Sequence, residues 1–68
     1  MLITVNGRSC QAQEQLSLAQ ALRQFSPYGD EAVVCRLNGA SYKSVDVNDH
    51  IRLQAGDVLE IYPLVIGG

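Results

Sequence analysis

The chain has 68 residues, the length of one small domain. Apolar residues make up 47% of it, which is enough for a globular core and too many for a disordered tail. The net charge is −2 and the five basic residues are scattered, so nothing supports nucleic-acid binding. A core this small leaves little room for an enclosed active site with several catalytic groups.

The first predicted element is a β-hairpin. Residues 1–6 alternate between apolar and polar side chains and are rich in β-branched types, a pattern typical of a strand. The dipeptide Asn6-Gly7 readily supplies the positive φ angles of a tight turn. Residues 9–13 alternate again and complete the hairpin.

One short amphipathic helix is predicted next. Ser17 is a good N-cap, and Gln20 stands three residues later, where it completes a capping box. Apolar residues then recur at helical spacing: Leu18, Ala21, Leu22 and Phe25. Pro27 cannot continue the helix and pushes Ser26 out of the helical region.

Two further strong strands are predicted. Residues 32–37 form the first, and Asn38-Gly39 after it is another hairpin-type turn. Residues 58–62 form the last strand, after a turn over residues 53–57.

The segment between these strands, residues 41–52, gives a weaker pattern. Tyr42 and Val45 suggest an edge strand, and we expect Val47 and Ile51 to hold a loop against the core.

This order of elements predicts an α+β fold of the β-grasp (ubiquitin-like) type. We expect a mixed sheet of four to five strands packed on one helix, with the first and last strands parallel at its centre. The predicted organisation is a β-grasp domain over residues 1–62 and a flexible C-terminal Gly-Gly arm over residues 63–68.

The chemistry-bearing feature is Gly67-Gly68 at the end of this apolar arm. Two glycines make the thinnest possible peptide, which can thread a narrow channel and place a carboxylate deep inside a partner. That carboxylate is ionised at neutral pH and reacts only after a leaving group is attached. Attack on the α-phosphate of ATP would give an acyl-adenylate that a sulfur nucleophile can open. The competing interpretation is a frayed terminus that happens to end in glycines.

A set of motifs spread over the whole chain carries a family resemblance. They are Ile3-Thr4-Val5-Asn6-Gly7, Leu16…Leu18…Leu22, Val34…Leu37-Asn38-Gly39, Leu53-x-x-Gly56-Asp57-x-Leu59-x-Ile61 and Gly67-Gly68. In these motifs the chain resembles the sulfur-carrier family that includes the thiamin-thiazole carriers (ThiS-like) and the small subunit of molybdopterin synthase (MoaD-like).

The resemblance implies a carrier and not an enzyme, with no catalytic residues and no bound cofactor. A partner related to the ubiquitin-activating (E1-like) enzymes would adenylate Gly68 with ATP and magnesium. Sulfur from a persulfide would then give a thiocarboxylate, and a sulfur-accepting synthase would withdraw that sulfur. We expect the free carrier to be a monomer with no nucleic-acid or membrane partner.

The docking surface for these partners is predicted around the arm, with Gly67 as the threading residue before Gly68. Apolar side chains would supply most of the interface energy, and a proline would stiffen the base of the arm. The predicted docking residues are Tyr62, Pro63, Leu64, Val65, Ile66 and, on a neighbouring strand, Val34.

The cysteines and the histidine have simpler interpretations. Cys35 lies on an inward strand face and is predicted to be a buried, inert thiol, whereas Cys10 is less clear. With His50 they are too few for a zinc site, so no metal ligand is predicted. Two thiols without a CxxC pair, and an N-terminus with neither a basic region nor a long apolar run, favour the cytoplasm.

Several alternatives stay open at this stage. The short length resembles the thiazole carriers, while the segment before the glycines is nearer to the molybdopterin type, apart from the bulky Ile66. The sulfur acceptor could belong to thiamin, molybdopterin, sulfur amino-acid or tRNA-thiolation chemistry. A ubiquitin-like modifier conjugated through Gly68, or a non-catalytic interaction module, would also fit.

Overall fold

The fold is known from a computed structural model that describes residues 1–64; residues 65–68 lie outside the description. The elements are β1 (Leu2–Val5), β2 (Arg8–Gln11), α1 (Leu18–Phe25), β3 (Val33–Leu37), β4 (Ala40–Lys43), a 3-10 turn (Ser44–Asp46) and β5 (Val58–Pro63).

Within residues 1–64 the strands form one mixed sheet of five, in the order β2-β1-β5-β3-β4. β1 and β5 are parallel neighbours, and the other adjacent pairs are antiparallel. The predicted α+β class, the mixed sheet and the parallel pairing of the first and last strands are therefore confirmed. The last strand is the central one, so hydrogen bonds hold it on both edges.

Local sequence signals account for the turns and the helix ends. Asn6 and Gly7 have φ angles of 50° and 82°, the paired positive values that an Asn-Gly hairpin turn needs. Ser17 and Gln20 form the predicted capping box, and Ser26 leaves the helix in an extended conformation. These three predictions are confirmed.

The helix covers one face of the sheet and closes the core. Among residues 1–64, twelve apolar residues are buried there: Ile3, Val5, Ala12, Leu16, Leu18, Ala21, Leu22, Val33, Cys35, Leu53, Leu59 and Ile61. Val47 and Ile51 pack against this cluster, as predicted for the loop that carries them.

The weak edge strand differs from its prediction. Tyr42 lies in β4, but Val45 lies in the 3-10 turn, and 72% of its surface is exposed. The strand ends at Lys43 because the Ser44 side chain, not a further backbone group, accepts the Val33 N–H at 2.9 Å.

Two asparagine side chains hold the central strand from opposite edges, which the sequence analysis did not foresee. Asn6 Oδ1 accepts the Ile61 N–H at 2.7 Å, and Asn38 Oδ1 accepts the Val58 N–H at 2.8 Å. Asn38 Nδ2 also donates to Asp57 Oδ1 at 3.0 Å. Both asparagines also have positive φ. Each of them therefore forms a turn through its backbone and holds β5 through its side chain.

The Asn38 contacts give a testable stability difference. Asn38→Gly keeps the left-handed backbone but loses both side-chain hydrogen bonds, so we expect a loss of about 1–2 kcal/mol in the free energy of unfolding. Asn38→Ala should lose roughly 1 kcal/mol more, because alanine tolerates positive φ poorly. Urea unfolding of both variants measures the two effects separately. Equal stability of wild type and Asn38→Gly would contradict the assigned hydrogen bonds.

Candidate functional site

The central strand leads directly to the predicted arm. β5 pairs with β3 in the register Val34↔Tyr62 and Val33↔Pro63, and the Leu64 N–H then donates to the Ala32 carbonyl at 3.3 Å. The chain is thus held by the sheet up to Leu64, the last described residue. The chain beyond Leu64 therefore starts from a fixed point beside the start of β3.

The described docking residues lie together at this end of the sheet. Tyr62 and Pro63 are exposed, while Val34 and Leu64 are half-buried. Val34 is the cross-strand neighbour of Tyr62, on the face of β3 opposite the buried Val33 and Cys35 side chains. β5 includes Pro63, which the sequence analysis assigned to the arm. Val65, Ile66, Gly67 and Gly68 lie outside the described residues, so their predicted roles stay predictions.

The sheet face away from α1 carries more apolar surface than predicted. Leu2 is 55% exposed, and Val58 and Tyr62 are each 43% exposed. With Val34 they form what we call the open-face patch (Leu2, Val34, Val58 and Tyr62). The sequence analysis missed Leu2 and Val58, although two-residue alternation puts Val58 on the same side of β5 as Tyr62. Exposed apolar groups collected on one face are typical of interaction surfaces.

Charged groups lie within and beside the open-face patch. Glu60 lies opposite Arg36 across β5 and β3, and it accepts a hydrogen bond from the Tyr62 hydroxyl. This hydrogen bond to Glu60 raises the pKa of Tyr62 above its ordinary value. Lys43 is exposed on the neighbouring β4, opposite Val34. The open-face patch thus has two apolar ends, Leu2 with Val58 and Val34 with Tyr62, and the Glu60–Arg36 pair lies between them. Protein interfaces commonly mix apolar and charged groups in this way.

The thiols and the imidazole form no catalytic or metal cluster among the described residues. Cys35 is fully buried, and desolvation raises the pKa of its thiol, which makes it a poor nucleophile. Cys10 is half-buried, with Sγ 3.6 Å from the Arg8 carbonyl oxygen. His50 lies in an exposed turn. In residues 1–64, no group of three His, Cys, Asp or Glu side chains could hold a metal ion.

Within residues 1–64, the single helix is too short and too polar to cross a membrane.

Comparison with solved structures identifies the architecture. Over 100% of both chains, the structure superposes on that of a thiamine biosynthesis protein (ThiS) from Geobacter metallireducens, with a TM-score of 0.80 and 27% sequence identity. The chain is ThiS-like. No protein-family model and no curated protein sequence matches it. The ThiS-like recognition and the β-grasp fold that it implied are therefore confirmed, and the confirmation comes from the structural likeness.

Proposed function

We propose that this ThiS-like chain is a sulfur carrier in thiamine biosynthesis and acts as a substrate of other enzymes. The observation that carries this proposal is the full-length likeness to a thiamine biosynthesis protein. Two features of the chain support it: a central strand that delivers the C-terminal segment from a fixed point, and the Gly67-Gly68 pair in that segment.

The reacting group in this proposal is the carboxylate of Gly68. With ATP and magnesium on an E1-like partner, a Gly68 carboxylate oxygen attacks the α-phosphorus, and pyrophosphate leaves. The terminal sulfur of a persulfide then attacks the activated carbonyl carbon and displaces AMP. A thiol cleaves the resulting S–S bond, which leaves the thiocarboxylate on Gly68 and a disulfide on the sulfur donor. A sulfur-accepting synthase takes up that sulfur.

This chain's own part in the reaction is positioning. Gly67 and Gly68 have no side chains, so a narrow channel in the partner can admit them. Val65 and Ile66 add apolar contact without charge. β5 holds the base of the segment, so docking pays no further ordering cost for the residues up to Leu64. ATP and magnesium are bound by the partner.

The open-face patch is the proposed docking surface for the activating enzyme. It continues directly into the C-terminal segment through Tyr62, the exposed aromatic residue nearest to that segment on β5. Exposed aromatic side chains commonly contribute a large share of the binding energy at such a surface.

Substitution of Tyr62 tests the docking surface. We expect Tyr62→Ala to raise the KM of the activating enzyme for the carrier roughly tenfold, because truncation removes an aromatic contact. Val45→Ala is the control, since Val45 is more exposed but lies in the 3-10 turn outside the patch. Steady-state kinetics with varied carrier concentration measures both. Equal KM values for the two variants would exclude the open-face patch as the docking surface.

The proposal itself is tested by reconstitution. The carrier is incubated with a ThiS-activating enzyme, ATP, magnesium and a persulfide donor, and pyrophosphate exchange and intact mass are followed. We expect carrier-dependent exchange and the replacement of one oxygen by sulfur. Absence of exchange would refute activation, and lysine-linked conjugates without sulfur uptake would favour a ubiquitin-like modifier instead.

A further inference from the structure

One peptide unit at the start of β3 is hydrogen-bonded at both ends. Its carbonyl, on Ala32, accepts the Leu64 N–H at 3.3 Å. Its N–H, on Val33, donates to the Ser44 hydroxyl oxygen at 2.9 Å. A single peptide plane thus connects the last described residue of the C-terminal segment to a side chain beyond the end of β4.

The geometry of that plane makes the two bonds interdependent. A trans peptide is planar, and its C=O and N–H point in opposite directions, so a rotation that tilts one also tilts the other. Hydrogen bonds at the two ends of one amide also polarise each other and strengthen together. The Ser44 hydroxyl therefore helps to keep the Ala32 carbonyl aimed at Leu64.

No strand pairing supplies this restraint. The register between β3 and β4 stops at Val34↔Lys43, and the chain then enters the 3-10 turn at Ser44. The Val33 N–H consequently faces the place where β4 has ended, and the serine side chain substitutes for a backbone carbonyl. Val33 and Pro63 are opposite each other but exchange no backbone hydrogen bond, because the Val33 N–H faces the β4 side; the Leu64 N–H therefore makes the last described bond between β5 and the start of β3.

We propose that Ser44 is a positioning residue for the C-terminal segment: through the Ala32–Val33 peptide, it fixes Leu64, the residue from which the chain continues towards its reacting end. This inference rests on the proposed carrier function. Without the Ser44 bond, β5 frays back from Leu64, and the chain end reaches the partner's nucleotide in a wider range of directions. Poorer orientation of a reacting group lowers the rate of the bound complex more than its affinity.

The first test uses the free protein and three variants. Amide hydrogen exchange, followed by NMR, should be about fivefold to tenfold faster at Val33 and Leu64 in Ser44→Ala. This is the loss of protection expected when one hydrogen bond is removed. The Ile61 amide, held by Asn6, should be unchanged. Ser44→Thr, which keeps the hydroxyl, should restore the protection. Ser9→Ala removes a hydroxyl from the exposed strand β2 and should affect neither amide.

The second test measures activation. Ser44→Ala should lower the kcat of carrier adenylation about fivefold with KM unchanged, and Ser44→Thr should recover it; a merely destabilised fold would instead speed exchange throughout the core. Unchanged exchange at Leu64 in Ser44→Ala, or lost protection with an unchanged kcat, would overturn the positioning role while the carrier function stands. A wild-type chain that is never adenylated would instead refute the carrier function, and any role of Ser44 in it.

Discussion

Removal of Gly68 should abolish sulfur loading and leave the fold intact. The shortened chain ends in the Gly67 carboxylate, and the loss of one residue shortens the reach of a chain by up to about 3.3–3.6 Å. A displacement of that size at a reacting group costs at least about a hundredfold in rate. Pyrophosphate exchange and intact mass, measured after incubation with the activating enzyme, report the loss.

A matched variant separates the effect of moving the terminal carboxylate from the effect of changing the terminal residue. Gly68→Ala keeps both the chain length and the terminal carboxylate and adds only a methyl group, so it should retain more activity than the truncated chain. Thermal unfolding should be the same for all three proteins, because the core that the described residues form lies within residues 3–61. A truncated chain that is loaded as fast as wild type would contradict the assignment of Gly68.

Leu59→Ala should have the largest effect on stability. Leu59 is fully buried on the central strand, and its truncation leaves a cavity between the sheet and the helix. Such changes cost about 2–5 kcal/mol, which is comparable to the whole stability expected of a domain this small. We therefore expect a chain that is largely unfolded or melts at least about 10 °C lower, as followed by circular dichroism.

The neighbouring residue is the control for this prediction. Val58 precedes Leu59 on the same strand but points to the open sheet face, so Val58→Ala should cost less than about 1 kcal/mol. Similar losses of stability for the two variants would contradict the placement of Leu59 in the core and of Val58 on the open sheet face. The comparison thus tests the side of the sheet on which the core lies.

The parts of the fold that sequence reasoning predicted are those set by neighbouring residues. The Asn6-Gly7 turn and the Ser17 capping box depend on contacts within four residues, and the strand faces depend on simple alternation. These signals are enough to order the elements, and the order restricts the topology to very few arrangements. That is why the parallel pairing of β1 with β5 was predicted correctly.

Contacts between distant residues were not predictable in the same way. Asn6 holds Ile61, which is 55 positions away, and Ser44 holds Val33 across the β4 hairpin, 11 positions away. From their sequence neighbours alone, Asn6 and Ser44 are indistinguishable from ordinary turn or loop residues. Val45 shows the converse error, since its β-branched side chain suggested a strand, yet the Ser44–Val33 bond ends the strand before it.

The residues of the candidate site were also predictable only where a local sequence signal marked them. Val34 and Tyr62 were predicted as docking residues, and the structure brings them together across β3 and β5. Leu2 and Val58 were missed because an exposed apolar residue in a strand has no local signal until the sheet order shows which face is uncovered. The roles of Gly67 and Gly68 rest on the family resemblance and their chemistry.

The most direct test of sulfur transfer to the chain end is fragmentation mass spectrometry of the protein recovered with its native partners. The proposed function predicts that sulfur replaces one oxygen and that the change is confined to fragments containing Gly68. A sulfur atom added to Cys10 or Cys35 instead, or an unmodified Gly68 under conditions where the partners are active, would contradict it.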